Sequence, residues 1–130
     1  MRIPLQKRGN RFLVECALEE LDGTKLLGTV DTGSSFSLVS SKICERAQLK
    51  FKGNTRKVMC IHGKSHTKIR VPYYRGTITV GTKFGCGTVY ELNVRPVVAG
   101  LYTDVIVGYD VLRHFHMTLD YVNGTGFLES

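Results

Sequence analysis

The chain has 130 residues, 42% of them hydrophobic, and carries a formal net charge of +7 with 18 Lys or Arg against 11 Asp or Glu. That is enough chain to bury a core without staples, and it reads as one domain spanning residues 1–130. No apolar run approaches a membrane span and Met1-Arg2-Ile3-Pro4 is too polar for a secretory start, so the expected setting is cytoplasmic, away from membranes. The cysteines, Cys16, Cys44, Cys60 and Cys86, are scattered without a CxxC pair, which argues against a zinc site and leaves reduced thiols as the expectation.

The charge is unevenly placed. Eleven Lys or Arg residues and a single acid, Glu45, fall between Lys42 and Lys83. Such a stretch would attract nucleic acid. Its charges, however, are spread among turns and strands and lack the interleaved aromatics of a base-stacking platform. A solvated basic face is the better reading, with nucleic-acid binding the weaker alternative.

In chain order, residues 1–10 are basic and turn-rich and predict a flexible arm or short edge strand. Phe12 to Leu18 reads as a strand, Asp22-Gly23 as a hairpin turn, and Lys25 to Val30 as the return strand. That strand delivers Asp31-Thr32-Gly33-Ser34-Ser35, an acid with turn chemistry set between two apolar stretches and expected to be half buried. Ordinary residue frequencies would supply Asp-Thr-Gly by chance in roughly a few per cent of chains this long. The tripeptide alone is therefore compatible with a plain β-turn. Ser35 to Val39 predicts a further strand, and Ser40-Ser41 an N-cap for a short helix over Lys42 to Ala47.

From Lys52-Gly53-Asn54, read as a turn, the pattern becomes all-β: Lys57 to Ile61, Thr67 to Tyr74, Gly76 to Val80 and Val89 to Val94. A Gly-centred turn, Cys60 to His66, separates the first two. His62 and His66 have no third ligand type nearby, so neither a metal site nor a general base is assigned to them. Gly81, Gly85 and Gly87 open no helix in the GxGxxG pattern, so no phosphate loop is assigned either. Asp104 to Phe115 reads as a β-branched strand running into Gly108, then a short helix capped by Asp110. The chain closes on a hairpin, Met117 to Val122 and Gly126 to Glu129, about the turn Asn123-Gly124.

Two stretches together carry a family resemblance. A hydrophobic strand ending in Asp31-Thr32-Gly33, then Ser35-Phe36-Ser37-Leu38-Val39-Ser40 and a short helix, resembles the active-site layout of retropepsin-like aspartic proteases. That family includes retroviral and retrotransposon enzymes and the cellular DNA-damage-inducible proteins. Gly108-Tyr109-Asp110-Val111-Leu112 is similar to the family's Gly-x-Asp-x-Leu element at the expected distance downstream. The resemblance spans roughly residues 12 to 122 in layout and implies a mainly β fold. That fold is a closed, barrel-like acid-protease architecture, a single retropepsin-type lobe with one or two short helices.

What the resemblance implies for function is specific. Asp31 would be the catalytic carboxylate of an aspartic endopeptidase that needs no cofactor or metal. Thr32 would brace the loop across a two-fold axis, Gly33 would keep backbone near the catalytic water, and Ser34 would donate to the outer oxygen of Asp31. Ile61, His62 and Gly63 would lie in a flap over the substrate, and Ser35, Val107 and Leu38 would line the cleft. Gly108 would be structural, letting its strand pass behind the loop. With a single Asp-Thr-Gly in 130 residues, the second carboxylate must come from a second copy, so a homodimer acting on peptide or protein substrates is expected. The terminal hairpin and the Met1 arm are the dimerisation candidates. Ser35 stands where many retroviral enzymes have an acid, and Ile61 to Lys64 lacks the paired glycines of some viral flaps. Two other classes stay open on the sequence: a catalytically silent binding or scaffold module on this fold, and a basic nucleic-acid-binding β-barrel.

Overall fold

The computed structural model describes residues 2–22, 24–54, 72–81, 88–97 and 103–130. Its strands are β1 (Arg2–Arg8), β2 (Arg11–Leu18), β3 (Lys25–Val30), β4 (Leu38–Ser40), β5 (Lys50–Asn54), β6 (Pro72–Val80), β7 (Thr88–Val97), β8 (Val105–Val107), β9 (His116–Asp120) and β10 (Thr125–Glu129). The helices are α1 (Ser41–Ala47) and α2 (Tyr109–Leu112), with a 3-10 turn at Glu19–Leu21. The Lys57–Ile61 strand and the Cys60–His66 turn expected from sequence lie outside the described residues, as do Gly85 and Gly87.

All ten strands join one sheet in the order β5-β6-β7-β4-β8-β3-β2-β1-β10-β9, and β2 also pairs with β6. Among the described residues β5 and β9 have a neighbour on one side only, so the sheet as a whole is not closed, while the β2–β6 pairing returns the run β6-β7-β4-β8-β3-β2 on itself in the barrel-like way that was expected. β2 is its hub: it is antiparallel to β1, β3 and β6, with Cys16 opposite both Leu26 and Val80. That position explains why its sequence is nearly continuous in apolar residues where a half-buried strand would alternate. Phe12, Leu13, Val14, Cys16, Ala17 and Leu18 are all buried.

Four elements depart from the sequence reading, one being the separate Thr67–Tyr74 and Gly76–Val80 strands, whose described parts run on as the single strand β6. Residues 1–10, expected as a flexible arm or short edge strand, supply strand β1, which is no edge: it is held between β10 and β2, with Ile3 opposite Leu128 and Gln6 opposite Leu13. Its alternation, Ile3 and Leu5 inward among exposed polar neighbours, is the strand signal that the basic residues obscured. Lys52-Gly53-Asn54 is no turn; it belongs to β5, which pairs with β6 through an irregularity between Phe51 and Gly53. The strand expected over Ser35 to Val39 shortens to β4, because Ser35 to Ser37 belong to the loop that follows Asp31.

The arrangement that positions this loop is β8 inserted between β3 and β4. β8 runs parallel to β3, with Val30 opposite Val107, and antiparallel to β4, with Leu38 opposite Ile106. Two strands adjacent in sequence are thereby separated in space by a third from 70 residues on. Gly28 permits the close pass: a Cβ there would sit 2.8 Å from Cγ2 of Val107. On the far side of β4, α1 starts where the Ser40 hydroxyl accepts the Ile43 N–H and ends at Gln48, in the left-handed region at φ 50°. Ile43, Cys44, Ala47 and Leu49 anchor it to the core with Val39, Val105, Val107 and Val111.

Burial sets the thiols apart from solvent. It pushes Cys16 up to about 12, with Glu15 adding to the effect, and Cys44 up to about 11, with Glu45 adding to it. Both are free and, so protonated, act as small apolar side chains.

Candidate active site

Asp31 stands at the end of β3 and opens the loop that crosses to β4. Its main-chain N–H donates to the Val107 carbonyl at 3.0 Å, which extends the β3–β8 ladder up to the acid itself. The loop then turns tightly: the Ser34 N–H donates to the Asp31 carbonyl at 3.3 Å, and the Gly33 N–H donates to Asp31 Oδ1 at 3.0 Å. Asp31, Thr32, Gly33, Ser35 and Phe36 are exposed, and Ser34 is half-buried. The acid is thus more open in the single chain than its sequence context suggested.

Ser34 does not serve Asp31. Its hydroxyl donates to the Phe36 carbonyl at 2.6 Å, and the Asp31 carboxylate is held instead at Oδ1 by the Gly33 N–H. The difference is geometric, since the tight turn aims the Gly33 N–H back at the carboxylate while the Ser34 side chain follows the loop forward. Val107 also differs from expectation. Its side chain is fully buried in the core, so it lines no cleft, and its carbonyl is what reaches the loop. Leu38 is likewise core. Ile61, His62 and Gly63 lie outside the described residues.

Gly108 backs the loop. A Cβ on it would lie 2.5 Å from the Phe36 carbonyl oxygen and 2.8 Å from that of Ser34. Its neighbours complete the support. The Tyr109 N–H donates to the Ser34 carbonyl at 2.8 Å, and the Gly108 N–H donates to Ser37 Oγ at 3.1 Å. Asp110, expected to cap α2, makes no N-cap; Gly108 holds that position without a side-chain bond. The Asp110 carboxylate instead receives the main-chain N–H and the hydroxyl of Ser37, at 2.9 and 2.6 Å. Sequence reasoning missed this pair. The only sequence signal was the Asp of Gly-x-Asp-x-Leu, which a capping role explained equally well.

The loop also borders a depression of about 280 Å³, walled by the polar Asn10, Arg11, Thr29 and Thr32 together with Phe12, Val30, Met117, Leu119 and Tyr121, and reaching Asp31 itself. The edge strand β9 supplies Met117 and Leu119, so the terminal hairpin adjoins the site. Tyr121 meets Phe12 edge-on at 5.0 Å between ring centroids. Among the described residues no group of three or more His, Cys, Asp or Glu side chains is placed to hold a metal ion. None of the described helices is long and apolar enough to cross a membrane.

An exposed Asp-Thr-Gly loop on a strand, with a third strand threaded behind it and sealed by glycine, is the architecture of an acid-protease lobe. Solved structures agree on the fold. The chain is similar to a retropepsin-like aspartic protease from Rickettsia conorii at a TM-score of 0.65 and 15% identity, covering 98% of this chain and 89% of that one. It is also similar to the retroviral protease-like domain of Ddi1 from Leishmania major at a TM-score of 0.52 and 15% identity, covering 94% of each chain. No protein-family model matches the sequence, and no curated protein does. The chain therefore has the retropepsin-like fold, in its mainly β form with two short helices among the described residues.

Proposed function

We propose that this chain is an aspartic endopeptidase that works as a homodimer, one Asp31 from each copy facing the other across a two-fold axis. The observation that carries the reading is the placement of Asp31. It is the exposed acid of a loop locked from behind by β8 and Gly108, with one carboxylate oxygen already oriented by the Gly33 N–H. One lobe supplies one such carboxylate, and the chemistry needs two that share a proton. The ionised partner takes a proton from the water between them as that water attacks the scissile carbonyl. The protonated partner donates to the carbonyl oxygen, giving a tetrahedral diol. Collapse of the diol breaks the C–N bond, with a proton passing to the departing amine.

In this reading Thr32 braces the two loops across the axis, and Ser35, exposed beside the acid, meets substrate backbone. Ile61, His62 and Gly63 form the flap, which closes over the substrate and excludes water. With β1 committed between β10 and β2, the terminal hairpin offers the second copy the outer edge of β9, which adjoins the Asp31 site and, like that of β5, has no partner among the described residues. The activity fits protein or polyprotein processing in the cytoplasm.

The test is cleavage of a diverse peptide library between mildly acid and neutral pH, with sedimentation of the same sample. The parent chain is expected to sediment as a dimer at micromolar concentration and to cleave, and Asp31→Asn to fold normally and lose at least about a thousandfold in kcat. A strictly monomeric parent, or an Asp31→Asn variant that cleaves as well as the parent, refutes the proposal.

A further inference from the structure

The Asp31 loop is stitched to residues 107–110 at three places, and the third is unlike the other two. Asp31 and Ser34 are held by main-chain bonds to Val107 and Tyr109, which most side chains would permit. Ser37 is held by side chains. Its N–H and hydroxyl both donate to the Asp110 carboxylate, and its Oγ accepts the Gly108 N–H. Asp110 Oδ1 accepts a further bond from the Val111 N–H at 2.9 Å. Ser37 is 0% exposed, so none of these groups on Ser37 can turn to water when a partner is lost.

Resting on the reading of Asp31 as catalytic, we propose that Ser37 and Asp110 are positioning residues that set where the Asp31 loop stands. The argument begins with what else holds that loop. Residues 32 to 36 are exposed or half-buried and contribute nothing to the hydrophobic core. The two ends of the loop and the Ser34 carbonyl between them are the points at which residues 107–110 fix its course. One end is the β3 ladder; the other is Ser37. Releasing Ser37 frees the loop to shift while leaving the core packed. A shift on the order of 1 Å in a catalytic group can cost about a hundredfold in rate.

The donor arithmetic requires a carboxylate. Three donors, the Ser37 N–H, the Ser37 O–H and the Val111 N–H, converge on the two oxygens of Asp110. An ionised carboxylate is acceptor-only and satisfies all three. An amide of the same shape points an NH₂ at the Ser37 N–H or, flipped, at the Val111 N–H. Asp110→Asn is therefore nearly isosteric and still leaves donor facing donor. Ser37→Ala orphans the buried Gly108 N–H and removes one bond from the carboxylate. Ser37→Thr retains every bond, at the cost of fitting one methyl group.

The experiment measures amide hydrogen exchange residue by residue on the full chain, together with kcat on a peptide cleaved by the parent. Asp110→Asn and Ser37→Ala are expected to speed exchange at Gly33 and Ser34 about tenfold or more, as loss of a charge-assisted bond implies. Exchange at Val14 and Gly28 in the β2–β3 ladder is expected to stay within about twofold. kcat should fall about 10- to 100-fold in both variants, and Ser37→Thr should recover it to within about threefold of the parent. Unchanged exchange at Gly33 and Ser34 overturns the proposal. So does a rise spread evenly over β2 and β3, or failure of both loss variants to fold, since either makes the pair a support of the whole domain. If the parent cleaves nothing, the catalytic reading fails on its own, and the exchange pattern still decides whether the pair positions the loop.

Discussion

Gly108→Ala isolates the close approach on which the site depends. Gly108 has φ −96° and ψ −173°, extended backbone that alanine adopts freely, so the whole effect is steric. The added Cβ would stand 2.5 Å from the Phe36 carbonyl oxygen and 2.6 Å from its carbon. That is about 0.8 Å inside the ~3.3 Å at which carbon–oxygen contacts ordinarily begin. Every atom in the way belongs to main chain, so no side chain can turn aside; either the loop or β8 must move. Overpacking of this kind costs about 1–3 kcal/mol. The movement also strains the Tyr109 N–H bond to Ser34 and the Gly108 N–H bond to Ser37, at about 1 kcal/mol each. A loss of roughly 3–5 kcal/mol is expected, a large share of the stability of a domain this size. In a urea titration this is a fall of roughly 2 M in midpoint. Gly9→Ala is the control: nothing lies within 4 Å of its added Cβ, and its φ of +58° leaves only a left-handed penalty, about 1 kcal/mol. Should Gly108→Ala shift the midpoint no further than Gly9→Ala does, the view of Gly108 as the seal behind the loop is wrong.

Two further predictions concern the frame around the site. Ser40→Ala removes the cap on Ile43 and the bond from Ser40 Oγ to Asp104 Oδ1 at 3.1 Å; a loss of about 1–2 kcal/mol is expected, read as a drop in Tm of roughly 5 °C, and a Tm unchanged within a degree would count against the cap. Cys16 makes stability depend on alkali, because its thiol, ordinarily at 9.0, is raised to about 12 in the fold. A raised pKa means that the folded chain holds its proton when the unfolded chain has lost it. The contribution is whole below pH 9.0 and is lost as pH rises from there toward about 12, at about 1.4 kcal/mol per pH unit. Denaturant titrations of the parent and Cys16→Ala across that range should converge as pH rises, and parallel curves would refute the assignment.

Much of this protein was legible in its sequence because local chemistry decides local structure. Lys25 to Val30 is a strand with the bounds its apolar run suggests, the Ser40 hydroxyl caps α1, and Asn123-Gly124 turns β9 into β10. Asp31-Thr32-Gly33 reads as a turn carrying an acid, and it is one. Partner choice was not legible, since it depends on residues far apart along the chain. No local pattern says that β8 will lie parallel to β3 with β4 on its other side, or that β1 will be claimed by β10 from the opposite terminus. The same holds for the side chains around the site. The Ser34 hydroxyl turns to Phe36 and Val107 disappears into the core, because the backbone path through the loop and the sheet sets where each Cβ points. Asp110 is the clearest case. Its sequence context, a glycine before and an apolar turn after, suits a helix cap as well as any other role. Only the tertiary structure brings Ser37 beneath it, 73 residues away in sequence, and makes it a clamp on the loop that carries Asp31.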